Sequence, residues 1–372
     1  MHVNLKELTQ YVEDKFISLR KHPTQDLFIW NYTDKTQYSW HWDEITMMAR
    51  GLITDSEGNV ISKSFSKFFG VSDHSSTKLE VLPAELPLIT EKVDGSLISV
   101  VNYKGTLVVA SRGAFESDQA IHATEWLKQK GITKIPEGRT YAFEWLAPDN
   151  QIVIQHVQSK LVLLTVFNIG EIVTERPREW VEAEGRRLEV EVVRTFDFPT
   201  FAAIRESLKT MNGSIQEGFV VRYSNGLRVK MKCETYIKLH KIMTQESVTT
   251  IWEELVEKGN VDSIIESVPK EFADWVSKEA NAIIAQREEI MKISRELAKE
   301  VELMPTRKEQ ALHIIGTLKS KEKPNIKSVA FSLLDGDEKE ANRRAWKLVC
   351  PEGYRTFSEK PWKNKLVKLK EE

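Results

Sequence analysis

The stretch EGFVVRYSNGLRVKMK, Glu217 to Lys232, reads as a β-hairpin. Two runs mixing apolar and polar residues flank Asn225-Gly226, a pair that adopts the positive φ angles a tight turn requires. A charge pattern lies over the hairpin. Glu217 opens the first strand, and Lys230 and Lys232 sit on the second. Residues i and i+2 of a strand share a face, so the two ammonium groups point the same way. Like charges side by side repel unless an anion sits between them, and a phosphate is the obvious candidate.

Outward from this hairpin the same texture continues. GLITDSEGNVISKSF turns at Asp55–Asn59, and SLISVVNYKGTLVVASRG turns at Tyr103-Lys104-Gly105. RTYAFEWLAPDNQIVIQHV and KLVLLTVFNI are apolar runs broken by turn residues. Helical stretches are expected near Asp118–Lys130 and Thr200–Met211. Strands and helices mix without regular βαβ alternation, which predicts an α+β fold with antiparallel sheets. After His240 the texture changes. Val248, Ile251, Trp252 and Leu255 recur at helical spacing, and Phe272, Val276, Ala280, Ile283, Ile290, Ile293 and Leu297 continue it until Pro305. The expected organisation is residues 1–240 as one domain and 241–372 as an all-helical second domain.

The 372 residues are 41% hydrophobic and 29% charged, ordinary for a soluble globular chain. No apolar run approaches the roughly 20 residues that span a bilayer. The N-terminal MHVNLKELTQYVEDKF has no signal-peptide core, and only Cys233 and Cys350 occur, so a reducing cytoplasm is expected. The net charge of −2 means that any nucleic-acid contact rests on local patches.

Further charged residues mark the ends or middles of apolar strands. TEKVDGSLIS, Thr90–Ser99, carries Lys92 ahead of Asp94-Gly95. Arg50-Gly51 precedes FSKFFG with Lys67, and YAFEW holds Glu144 in an otherwise apolar run. A carboxylate there costs several kcal/mol if buried alone. Together these place Arg50, Lys67, Lys92, Lys230 and Lys232 with two carboxylates on one face, which suits a nucleoside triphosphate. GxxxxGK[ST] is absent, as are HRD and DFG, which excludes P-loop enzymes and protein kinases.

The order Lys-x-Asp-Gly, strand Glu, Glu-Gly and Lys-x-Lys resembles the covalent nucleotidyltransferases. ARGLI, KFFG, EKVDGSL, SRG…SDQA, FEWLAPDNQIV and EGFVVRYSNGLRVKMKCETYIKLH narrow the resemblance to the RNA ligase 1 family, typified by the tRNA-repair ligase of T-even bacteriophages. It covers Phe28 to His240.

The resemblance implies an ATP-dependent RNA ligase in which Lys92 forms a lysyl–AMP phosphoramide. It implies that Arg50 and Lys67 contact the triphosphate with Trp30 nearby, and that Arg112 supplies a basic position. Glu91 and Val220 complete the ATP set. Glu144 grips the ribose or organises metal, Glu217 assists the metal-bound state, and Lys230 and Lys232 hold the α-phosphate. Asp262 falls near a second metal position. The implied metal is Mg²⁺ (or Mn²⁺); neighbouring cations and Mg²⁺ are expected to lower the Lys92 pKa, and partial burial to add to the shift.

The implied partner is RNA with single-stranded ends, nicked tRNA included. An RNA end-healing kinase/phosphatase would be a functional partner, and no membrane is involved. The place of action would be the cytoplasm, the host's if the chain is phage-encoded. The rivals are a DNA ligase or capping-type nucleotidyltransferase, which usually append an OB-fold, and a non-catalytic RNA-binding relative. After Pro305 there are 16 Lys/Arg against 10 Asp/Glu, an excess that a solvated surface and an RNA-facing one explain about equally.

Overall fold

The computed structural model describes residues 1–243, 248–266, 268, 270–320 and 323–351. They fall into two compact units, Met1–Ile237 and a second that begins at Lys238. The division lies inside the helix Glu234–Met243.

Fifteen strands build three sheets in the first unit. β1 (Ile17–Lys21), β2 (Phe28–Tyr32), β3 (Leu52–Thr54) and β4 (Val60–Ser62) form an antiparallel meander. β5 (Phe69–Gly70) and β6 (Leu88–Lys92) join another sheet. β7 (Ser96–Tyr103), β8 (Thr106–Ser111), β9 (Arg139–Leu146), β10 (Lys160–Ile169) and β11 (Val173–Glu175) form the largest sheet, ordered β11-β10-β9-β7-β8. β12 (Glu191–Val192) pairs with β10. β13 (Thr195–Phe196), β14 (Gly218–Arg222) and β15 (Arg228–Lys232) complete the remaining sheet, ordered β13-β6-β14-β15-β5. Two pairings, β10 with β12 and β15 with β5, are parallel; the rest are antiparallel, as the hairpin-rich sequence predicts.

Strand alternation sets which side chains meet. In the β6–β14–β15 sheet, Ile89, Phe219, Val221, Val229 and Met231 turn into a core with Ile204 of the helix Phe201–Lys209. Leu88, Thr90, Lys92, Val220, Arg222, Arg228, Lys230 and Lys232 therefore share the other face. In the largest sheet Tyr141, Phe143 and Trp145 pack with Leu127 and Val181 of the helices Asp118–Gln129 and Arg178–Leu188. Leu97, Glu144 and Leu164 take the opposite face. That face is apolar too, with Ala142 and Leu146 buried on either side, and Glu144 is accommodated there because it opens onto a cleft.

The Asn225-Gly226 hairpin closes differently from a tight turn with two positive φ angles. Arg222 pairs with Arg228, the Tyr223 N–H donates to the Leu227 carbonyl at 2.9 Å, and only Gly226 of the turn is left-handed, at φ 85°. This is a three-residue loop, where a glycine after a type I turn makes the bulge. The turn at Lys104-Gly105 does have both φ positive, 51° and 79°.

The second unit is helical in its described residues. Val248, Ile251 and Leu255 pack with Val276, Ala280 and Ile283 of the long helix Lys270–Val301. Leu297 and Val301 pack with Ile314 and Val329 of the following helices. The Phe272 side chain, and the part of the basic excess that falls on 321–322 and 352–372, lie outside the described residues.

Candidate active site

A cleft of about 230 Å³ lies between the facing surfaces of the two larger sheets. Lys92, Glu91, Thr90 and Val220 line it from one side, and Leu97, Glu144 and Leu164 from the other. Arg50 and Arg112 also line it.

Register explains the central contact. Gly218 of β14 is paired with Lys92 on one side and Lys232 on the other. Glu217, one residue earlier, reaches both: its carboxylate lies 2.8 Å from each ammonium nitrogen. No larger residue fits at 218, because its φ is 147° and a Cβ would stand 2.0 Å from the Met231 carbonyl oxygen. The Glu217 side chain is 1% exposed. Burial alone would raise its pKa, but Lys92 and Lys232 override it and hold the carboxyl below the usual range.

For Lys92 the burial part of the expectation holds, and the part that rests on neighbouring side chains does not. Burial pulls its pKa down, yet Glu217, and after it Glu144, raise it above the ordinary lysine value. The nearest groups are carboxylates and not cations, so the amine rests protonated.

Lys230 behaves oppositely. Burial and then Lys67, Lys232, Lys92 and Arg50 push it down to about 7. Lys67 is likewise lowered, first by burial. A row of cations with too few counter-charges is a site prepared for an anion.

Asp94 has a structural role that the sequence reading missed. Its buried carboxylate accepts from the Val153 and Ile154 N–H groups at 3.0 and 2.7 Å and from the Tyr236 hydroxyl at 2.6 Å. It thereby fixes the chain just after Lys92 to the loop after β9. Gly95 is required by close approach, since a Cβ there would lie 2.4 Å from the Trp145 carbonyl oxygen.

Two expected site residues stand elsewhere. Trp30 is 2% exposed in the core with Leu8, Ile17 and Leu52, and its indole N–H donates to Thr54 at 3.0 Å. Tyr32, two residues on, takes its expected place: its hydroxyl accepts from Arg112 at 3.0 Å and lies 3.4 Å from the Lys67 nitrogen. Asp262 is exposed at the start of the helix Asp262–Ile265, in the second unit. No group of three or more His, Cys, Asp or Glu placed to hold a metal occurs among the described residues, so Asp262 has no ligand set around it. Glu91 lines the cleft but pairs with Arg194 at 2.8 Å.

The sequence reading also missed an ion triad across the cleft. Glu175 of β11 pairs with Arg228 and, at 2.9 Å, with Arg222. These three residues tie the two sheets together at one end of the cavity. Arg228 could have been found, being i−2 to Lys230 and so on its face; nothing local marked Glu175.

The Lys92 amine thus lies on a cleft that Arg50 and Arg112 also line, between two sheets of an α+β domain. The chain belongs to the RNA ligase family, whose model matches residues 48–236, just over half its length. It is 26% identical over 211 residues to a protein of Thermovibrio ammonificans named "Putative RNA ligase", covering 52% of this chain and 53% of that one. It is 21% identical over 282 residues to the "Putative bifunctional polynucleotide kinase/RNA ligase" of Autographa californica nuclear polyhedrosis virus, covering 69% of this chain and 40% of that protein. The chain thus spans about half the length, or less, of these curated relatives. Among solved structures, one described as "Putative ATP-dependent DNA ligase from Aquifex aeolicus" aligns over 90% of this chain and 99% of that one, at 13% identity and a TM-score of 0.48.

Proposed function

We propose that the chain is an ATP-dependent RNA ligase that seals a 5′-phosphate to a 3′-hydroxyl. The observation that carries this reading is Lys92, a primary amine on the cleft, held by a buried carboxylate that it shares with Lys232. The Lys92 nitrogen, once deprotonated, attacks the α-phosphorus of ATP. The N–P bond forms, the bond to pyrophosphate breaks, and lysyl–AMP results. An RNA 5′-phosphate oxygen then attacks the same phosphorus and releases the lysine, leaving an adenylylated RNA end. A 3′-hydroxyl displaces AMP and forms the phosphodiester.

The cations have distinct parts. Arg50, Arg112 and Lys67 surround the Tyr32 hydroxyl and bind the outer phosphates. Lys230 and Lys232 neutralise charge at the reacting phosphate, where a fixed cation is worth most in the transition state. An anion arriving there restores the charge of Lys230.

Glu144, which lines the cleft, would be the first carboxylate to hold a hydrated Mg²⁺ or Mn²⁺, and Glu217 would join it only by giving up Lys92 or Lys232; such an ion characteristically takes one or two carboxylates and completes its shell with phosphates and water. Such an ion would neutralise the triphosphate. The shared Glu217 keeps Lys92 placed and charged until substrate enters.

The helical unit, beginning near residue 240, selects the RNA. A chain of this kind serves RNA repair, nicked tRNA included, beside an enzyme that prepares 5′-phosphate and 3′-hydroxyl ends. The kinase named in the viral relative's description supports that pairing. No described helix is long and apolar enough to cross a membrane. The test is a sealing assay with ATP, a radiolabelled 5′-phosphate RNA and a 3′-hydroxyl RNA. Label should move into a longer strand and resist phosphatase. Label that stays phosphatase-sensitive sinks the proposal.

A further inference from the structure

An aromatic surface that the triphosphate reading does not use adjoins the cation row. Trp40, in the loop between the helices Asp34–Tyr38 and Glu44–Met48, is 54% exposed. Its φ is 56°. A bulky residue in the left-handed region is a genuine outlier that costs on the order of 1–3 kcal/mol. The fold therefore accepts strain to hold an indole half out of the core.

The indole is not isolated. Its ring centroid lies 5.7 Å from Phe69 and 6.4 Å from Trp42, and Phe69 stacks on His74 at 4.5 Å. Beneath this surface the Lys67 ammonium sits 4.6 Å from the Trp42 centroid, 4.9 Å from Tyr32 and 5.7 Å from Phe69. Tyr32 joins Lys67 to Arg112, which lines the cleft. Phe69 belongs to β5, whose Gly70 is paired with Lys230. The cations thus run from Lys92 through Lys232 and Lys230 to Lys67, and the aromatic surface begins where they end. Two acids beside it are engaged: Asp43 caps a helix and contacts His41 at 3.3 Å, and Asp73 accepts from the Gly70 N–H.

We propose that Trp40 is a stacking platform for the nucleobase that carries the 5′-phosphate of the RNA. Phosphates track the cations, while an indole face accepts any base, since every base has a π-face. This rests on the RNA ligase reading and adds a named base-binding residue to it.

The test uses a fluorescent, 5′-phosphorylated single-stranded RNA oligonucleotide and its twin with an abasic first nucleotide. Binding is read by polarisation for the wild type, Trp40→Ala and Trp40→Phe. Trp40→Ala should bind the intact oligonucleotide about five- to one-hundred-and-fifty-fold more weakly, the range that base–aromatic stacking spans. Trp40→Phe should recover most of the loss. The abasic twin should bind the wild type more weakly by a similar factor, and Trp40→Ala no more weakly still. Equal binding of the intact oligonucleotide by wild type and Trp40→Ala overturns the proposal. So does an equal further loss on the abasic twin, or no binding by the wild type. A wild type that seals RNA while any of these holds loses only the platform. A wild type that neither takes AMP nor seals loses the ligase reading itself.

Discussion

Replacing Glu217 by Gln isolates the shared carboxylate, because shape is kept and charge removed. In the native protein it lies 2.8 Å from both Lys92 and Lys232, at 1% exposure. Each contact is charge-assisted, worth about 1.5–3 kcal/mol net. Removing one partner of a buried pair typically costs about 3–5 kcal/mol. Glutamine keeps an acceptor, and the two lysines are 23% and 25% exposed and can turn to water, so the lower end, about 3 kcal/mol, applies. For a unit of this size that is about 6–12 °C in Tm by calorimetry. The pH dependence gives the sharper check. Glu217 is held below its usual pKa, so its contribution is present above the ordinary carboxylate range and is lost as pH falls through the lowered value. Lys92 is raised, so its contribution is present below the ordinary lysine pKa and is lost as pH climbs through the raised value. The gap between wild type and Glu217→Gln should be widest near neutrality and close toward acid. A gap under about 1 kcal/mol, or one that does not narrow in acid, refutes a buried, doubly paired carboxylate.

Lys230→Met should raise Tm most at and below pH 7, the gain fading as pH climbs from about 7 to the ordinary lysine pKa, because burial and then neighbouring cations lower the folded Lys230 pKa to about 7. The same variant should react more slowly with ATP; unchanged stability and unchanged adenylylation together would place Lys230 away from the cation row. Glu175→Gln should raise KM for ATP more than it lowers kcat, since it loosens the Arg222 and Arg228 tie between the sheets and touches no reacting atom. A loss confined to kcat contradicts that. A chain ending near Lys241 should still accept AMP and discriminate less between nicked tRNA and a plain oligonucleotide; unchanged discrimination removes the helical unit from substrate choice.

Much of the cleft was legible because strand alternation is a local rule. Lys230 and Lys232 could be put on one face from spacing alone, and so could Arg228. Glu144 announced itself as a carboxylate in an apolar run. What spacing does not carry is which distant strands end up side by side or face to face. Nothing near Glu217 says that Lys92, 125 residues away, will share its carboxylate, so the sign of the Lys92 shift came out reversed. Glu175 was invisible for the same reason. Trp30 and Tyr32 lie two residues apart, and only the packed sheet tells that the indole is core while the phenol meets Arg112 and Lys67. The Asp94 carboxylate looked like part of a turn; its bonds to Val153, Ile154 and Tyr236 are long-range.

The central claim is that Lys92 is the nucleophile. Incubation with ATP labelled at the α-phosphate and a divalent cation, followed by denaturation, digestion and tandem mass spectrometry, tests it most directly. The account predicts one acid-labile AMP adduct, on the peptide that contains Lys92. It also predicts no adduct from GTP and none on Lys92→Ala, which should still seal RNA that is already adenylylated. An adduct on another residue, or on Lys92→Ala, contradicts it.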